Sequence, residues 1–404
     1  MCHLARAPEA DPLSCARRSG MLHTLGAMRY WSDHVAVLVP PVLPRRNSSW
    51  PGTIRRIRAA AVLGLVFTVA IAASNPTAAV AAPSRVVASA QQRGVPEFNN
   101  PFAVATDANY VWIGDSEASD VWVLNVRTGK PIWLLGTHEF HLDEPCSIAD
   151  DGTDVWVANC LGNSVTEVNA LNGRLVRVID ARSYGFDVPE SVSSDGSDVW
   201  VLSLFGSKVT KINAKSGALV RVISGPSYQF GQSISSSAIF SDGDHVWVTD
   251  ETGDSVTELN TSGGLVQVLR SSRFGFDGPL SISSNRDDVW VLNHLGNSVT
   301  ELDAATGAFL RLVDAPQDGL TFGTSDGVLA VDDQHVWIGN PFLNEVDELD
   351  ASNGSFIGTI QSASKFDGIS SISSNGRFVW VANDVADSAT EIRAAGDEYV
   401  QMVR

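Results

Sequence analysis

The sequence predicts an all-β fold, a seven-bladed β-propeller of four-stranded antiparallel blades. Three observations predict it. The dipeptide Val-Trp recurs at Trp112, Trp156, Trp200, Trp247, Trp290, Trp337 and Trp380, at spacings of 44, 44, 47, 43, 47 and 43 residues. Each copy holds four short apolar runs divided by turn residues, the pattern of an all-β chain. A four-stranded unit of about 45 residues cannot bury both of its faces alone. Stacking such units around an axis buries them, and closing the ring removes most exposed edges.

The third copy shows the elements in order. Its first strand, Ser191 to Ser194, ends in Asp195-Gly196, a turn that joins antiparallel strands tightly. The second strand is Asp198 to Leu202 and the third is Lys208 to Asn213. A Gly follows seventeen residues after each Trp (Gly129, Gly173, Gly217, Gly264, Gly307, Gly354), except in the last copy, where it stands one position early at Gly396. The fourth strand is Ala218 to Ile223. The Trp and its flanking Val are expected to fill the gap between neighbouring blades. A further Val-Trp at Trp122 takes the slot held elsewhere by Thr166, Thr210, Thr257, Thr300, Asp347 and Thr390. Glu398 to Val403 reads as the last strand of blade 7. Ser84 to Ala90 could add to it or replace it, so the ring has two possible closures.

The propeller is assigned to residues 100–404, with 83–99 as a linker or closing strand. Residues 1–82 form an N-terminal extension plus signal peptide. Arg55, Arg56 and Arg58 precede an apolar h-region over 59–73, and small residues run on to Pro83. A basic segment, an apolar run and an A-x-A site make a secretory signal. The run is too short and too Ala-rich for a membrane span. No stable span is therefore expected after its removal, and a retained surface anchor is the alternative to secretion. A signal beginning near residue 50 implies a translation start downstream of Met1, at Met28 or a later Val or Leu codon. Cys2 and Cys15 fall in the removed part. A hairpin centred near residue 153 brings Cys146 and Cys160 to one end of two strands, where a disulfide formed after export is expected and two free thiols are the alternative.

The 404 residues carry a net charge of −18. Nine Arg and three acidic residues lie in 1–82, which leaves −24 on 83–404. That balance argues against nucleic acid or anionic membrane as a partner. No G-x-S-x-G, H-E-x-x-H, Walker or dinucleotide motif occurs. A monomer without a cofactor is expected.

The phrase Val155-Trp156-Val157-Ala158-Asn159, followed by Asn163-Ser164-Val165-Thr166-Glu167-Val168, resembles YVTN and NHL propeller repeats. Blade 3, Pro189 to Ile223, also resembles the repeat of the streptogramin (virginiamycin B) lyases. The resemblance covers residues 100 to 404. It implies the fold, and for the lyases it implies an active face using Glu and His with a magnesium ion. Their repeat looks like W-F-T-E. The nearest match here is Trp247-Val248-Thr249-Asp250, with Asp in place of Glu, and His294 is the counterpart of the catalytic His.

Loops that lead into a blade and loops joining its second and third strands share one face of such a propeller, and loops on a rigid scaffold commonly carry function. Three residues after each Trp stands a polar residue: Asp115, Asn159, Ser203, Asp250, Asn293, Asn340 or Asn383. Of these, Asp115, Asn159, Asp250, Asn293, Asn340 and Asn383 are candidate ligand-binding residues around the channel mouth. The same residue types also start turns by bonding their own backbone. The next position varies from blade to blade. There Glu251 and His294, with Asp250, could supply two carboxylates and an imidazole for metal binding or acid–base chemistry. His138 and His141, near Asp143 and Glu144, form a weaker pair. His245 and His335 fall in turns on the opposite face and are expected to be exposed. Phe98, Phe186, Phe276 and Phe366 lie 14 residues before a Trp, where they would cap the gap between blades or line a binding rim.

Two readings follow. The chain is a secreted, non-enzymatic propeller that recognises a protein, glycan or small ligand at its loop face. Alternatively it is a metal-assisted lyase or lactonase-like enzyme acting through Glu251 and His294, with a divalent cation held by Asp250, Glu251 and His294.

Overall fold

A computed structural model describes residues 96–404 apart from 181, 231–236, 315–326, 363, 395–397 and 404. The expected signal peptide, the closing segment Ser84 to Ala90 and Gly396 lie outside the described residues. The chain forms seven four-stranded antiparallel sheets, each from consecutive strands, arranged as a seven-bladed β-propeller. Blade 1 consists of β1 (Pro101–Thr106), β2 (Tyr110–Asp115), β3 (Asp120–Asn125) and β4 (Pro131–Leu135). Blade 7 consists of β25 (Ile369–Ser374), β26 (Phe378–Asn383), β27 (Ser388–Arg393) and β28 (Glu398–Val403). First strands of neighbouring blades touch all the way round, including β1 against β25, so they form the inner wall. Fourth strands are outermost and partly exposed.

The ring closes by packing. β28 pairs with β27, so the C-terminal stretch completes blade 7. Across the seam the Val104 N–H donates to Ser371 Oγ at 3.2 Å, and Thr106 and Ser373 hydroxyls meet at 2.9 Å. The first bond is a repeated device. Nine residues before the Trp, the Ser147, Ser191 and Ser281 hydroxyls likewise accept the backbone N–H of Val192, Ile239 and Leu329 in the next blade. Ala103, Ala238 and Val328 hold that position in the other blades.

All seven Trp side chains are fully buried. Side chains alternate across a strand, so Trp112 faces blade 2, among Ile148, Val155 and Val157, while Val111 and Ile113 face Trp380 of blade 7. Each Trp thus packs on the following blade. Trp122 is also buried and sits edge-on to Phe98, 6.1 Å between centroids. In five other blades the Thr at this slot donates to a carbonyl of the loop leading into its own blade, as from Thr300 to Phe274 at 2.7 Å. Blade 1 fixes its leading segment by ring packing instead.

Five residues before each Trp stands Asp or Asn: Asp107, Asp151, Asp195, Asp242, Asn285, Asp332, Asn375. One oxygen caps the hairpin turn, and in several blades the second polar atom of the side chain reaches outward. Asp151, Asp242 and Asp332 accept the indole N–H of Trp156, Trp247 and Trp337 at 3.0–3.2 Å. Asp151, Asp195 and Asp332 also accept the hydroxyl of Ser194, Ser241 and Ser374 from the next blade.

His245 and His335 are only partly exposed, which corrects the expectation from their turn position. His335 bonds Asp332 at 3.1 Å and lies 3.4 Å from Glu348, and His245 lies 3.7 Å from Glu258. The cause is a column of buried third-strand Glu residues. Glu167 and Glu301 meet Arg177 and Arg311 of the fourth strand, but Glu348 faces Gly358 there and takes His335 instead.

Candidate functional site

The loop face is tied together before any ligand is considered. Seven residues after each Trp, the loop between second and third strands ends in Ser119, Asn163, Ser207, Asp254, Asn297, Asn344 or Asp387. All seven have left-handed backbones, with φ from 47° to 55°, a conformation that Asn and Asp tolerate best among residues with a Cβ. Five of these side chains accept a backbone N–H from the segment leading into the next blade. Ser119 binds Glu144, Asn163 binds Val188, Asp254 binds Gly278, Asn344 binds Gly368, and Asp387 binds Asn100 across the seam.

The six candidate ligand-binding residues are all buried, and their side chains bond within the loops. Asp115 accepts the Asn99 N–H at 2.7 Å. The Asn159 and Asn293 amides each donate to a Ser and a Thr hydroxyl on the third strand, and Asn383 does the same with Ser388 and Thr390. Asn340 caps Phe342 and Leu343, and Asp250 caps Gly253. These are the bonds of turn-building residues. Burial pushes Asp115 up to about 8, with the nearby Asp120 and Asp387 adding to the rise and backbone N–H groups opposing it.

Glu251 and His294 do meet, at 2.9 Å between Oε1 and Nε2. His294 is buried and its Nδ1 has no hydrogen-bond partner. A third titratable group feels the charge of Glu251. Glu190 is buried and pushed well above the usual carboxylate range, first by burial and then by the charge of Glu251, against a backbone hydrogen bond from Ser237. Asp250 is turned into its own loop and stands apart from the pair.

The sequence reading missed Glu190. In blade 3 the first strand is bulged near its start, where the register shifts between Pro189 and Ser191. A bulge re-aims a side chain, and here it releases Glu190 from strand alternation. The signal was in the repeat. Ten residues before each Trp stand Phe102, Cys146, Glu190, Ser237, Leu280, Gly327 and Ser370, a column as varied as the one holding Glu251 and His294. Blade 2 shows that the two columns are neighbours, because Cys146 and Cys160 occupy them and form a disulfide. Outside the disulfide, the titratable members of both columns are Glu190, Glu251 and His294 in consecutive blades 3, 4 and 5, and Asp384 in blade 7.

Among the described residues no three His, Cys, Asp or Glu side chains lie close enough to hold a metal ion. The expected set of Asp250, Glu251 and His294 does not fit one, since Asp250 is committed elsewhere. His138 and His141 are exposed at either end of a short helix, Thr137–Phe140. The aromatic column caps the gaps between blades: Phe98 and Phe366 are buried, Phe186 packs on Tyr184, and Phe276 stacks on Phe274 at 5.2 Å. Among the described residues no helix is long and apolar enough to cross a membrane.

No protein-family model and no curated protein matches the chain. Solved structures do. Hydrazine synthase of Kuenenia stuttgartiensis is 18% identical with a TM-score of 0.59, over 75% of this chain and 98% of that one. A catalytically inactive virginiamycin B lyase of Staphylococcus aureus, solved with quinupristin, is 15% identical with a TM-score of 0.60, over 74% and 97%. A streptogramin B lyase is 14% identical with a TM-score of 0.57, over 72% and 92%. At these identities the likeness is one of fold.

Proposed function

We propose that the chain is a secreted, non-enzymatic propeller that binds its ligand on the loop face, at the mouth between blades 3 and 5. One observation carries this reading. The regularly repeated polar residues of that face are consumed in building it, while Glu190, Glu251 and His294 break the repeat together in three consecutive blades. A buried carboxyl whose pKa burial raises, together with a carboxylate–imidazole pair, offers polar and charged groups to a bound ligand. The Cys146–Cys160 disulfide supports export, since such bonds persist mainly in oxidising compartments.

The 2.9 Å contact of Glu251 with His294 favours a second reading, an acid–base enzyme of the lyase or lactonase type. Incubation with quinupristin, with and without magnesium, separates the two. The binding reading expects no ring opening under either condition. Turnover that disappears in Glu251→Gln would establish the enzyme instead.

A further inference from the structure

The tips of the loops between second and third strands carry a feature that the mouth does not use. Five residues after the Trp, Leu161, Phe205, Leu295, Phe342 and Val385 project from five of the seven blades. They are 62%, 37%, 56%, 73% and 56% exposed. The other two blades have Glu117 and Thr252 there. These loops lie on one face: in blades 1, 2, 3, 5 and 7 they hydrogen-bond the segment leading into their own blade, as Gly162 and Gly296 do to the carbonyls of Asp143 and Asp277, and in blades 4 and 6 Asp254 and Asn344 bond the segment leading into the next. Large apolar side chains repeated at a solvent-facing slot are not needed for the ring, whose gaps the Trp and aromatic columns already fill. An exposed apolar set rimmed by polar groups marks an interaction surface.

The charge between the tips is predominantly negative, with Lys208 Nζ beside Gly206 and Arg270 Nη2 beside Gly253 as the cations that reach two of the loops from outside them. The same loops hold Glu117, Glu251, Asp254, Asp384 and Asp387 and contain no Lys or Arg. The carboxylates crowd one another. Glu144 is buried, its Oε2 has no hydrogen-bond partner, and Asp143 and Glu117 act on it as like charges. Asp384 is crowded in the same way by Asp367 and Asp387. A partner that brings positive charge to this face relieves that repulsion, and its apolar side chains meet the tips. An anionic lipid surface is repelled instead.

We infer that the crown of loop tips docks a cationic, apolar polypeptide, with Leu295 and Phe342 as central anchors and the acidic loops as its electrostatic complement. This deepens the loop-face binding reading and rests on it. The probe is a fluorescently labelled peptide of alternating lysine and leucine, titrated with the full chain and followed by anisotropy. Same-length glutamate–leucine and lysine–serine peptides and phosphatidylglycerol vesicles serve as comparisons. Binding is expected for the lysine–leucine peptide alone, weakening as salt is raised from about 50 to 500 mM. The double variant Leu295→Ser, Phe342→Ser should weaken it about ten-fold or more. Both residues are exposed, so an unchanged melting temperature shows that the variant is folded. Equal binding of the acidic peptide, binding that the double variant retains, or preference for the vesicles overturns the inference. A ligand captured through Glu251 and His294 with no peptide binding overturns it too, and leaves the loop-face reading standing.

Discussion

Asp332 serves four partners with two oxygens. It caps the turn at Gln334 and His335, bonds the His335 ring, and accepts from Trp337 and from Ser374 of the next blade. Burial would raise its pKa, but these hydrogen bonds outweigh burial and hold it at about 2. Its stabilisation is therefore present above the ordinary carboxylate range and is lost as pH falls towards 2. Asp332→Ala should cost about 3 kcal/mol in urea unfolding at pH 7. A loss below about 0.5 kcal/mol would show that the Trp and Ser contacts carry no weight. Asp150 is the opposite case. It stands where blades 3, 4, 5 and 7 have Ser194, Ser241, Ser284 and Ser374, so a carboxylate replaces the hydroxyl that Asp107 would otherwise receive. Burial and the charge of Asp107 raise it well above the usual range. The folded state then favours its neutral form, and stability falls as pH rises through the raised pKa. Asp150→Ser should stabilise the chain, more at pH 8 than at pH 5. Equal or lower stability of the variant at pH 8 would contradict this account of the seam.

At the scale of elements, the four strands of each blade were legible because alternation and turn residues are local properties. The clasp at the end of each loop was not, although its Asn, Asp and Ser recur seven residues after every Trp. Its meaning lies in a neighbour about 25 residues further on, or in Asn100 for Asp387, and only the ring brings them together. Asp387→Ala opens the loop-face bond across the closing seam and should lower stability by about 1–2 kcal/mol. The same change at Asp254 should cost a similar amount, because both are one bond in an equivalent place. A much larger loss at Asp387 alone would mean that the seam is held differently from the other interfaces. The disulfide joins the bulged residue of a first strand to the loop after the second. Reduction should cost about 2–4 kcal/mol, read as a drop in urea midpoint, and an unchanged midpoint would leave the bond without a structural role.

For the whole molecule, acidity sets the pH response. Asp115 at about 8, Glu144, Glu167 and Glu301 at about 7, and Asp347 and Asp384 at about 6 are raised chiefly by burial. Each contributes stability that is complete below the ordinary carboxylate range and is lost as pH rises through its folded value. Unfolding free energy should therefore be highest near pH 5 and fall steadily to pH 8, and a profile rising over that window would refute the burial pattern. The ring itself was legible from the Trp spacing. Only part of the candidate site was, since Glu251 and His294 stand in a visibly varied column, whereas a bulge hides Glu190 from any reading by alternation.

The central claim is that recognition belongs to the loop face, and a comparative thermal-shift screen tests it most directly. Peptides, glycans and small molecules are screened against the native chain, Glu251→Gln at the mouth, Phe342→Ser at a loop tip and Val220→Ser on an exposed outer strand. Ligands that raise the native melting temperature should lose that shift in the mouth or tip variant and keep it in the outer-strand variant. Shifts that survive both loop-face changes and vanish with Val220→Ser would place recognition on the rim of the ring and contradict the account.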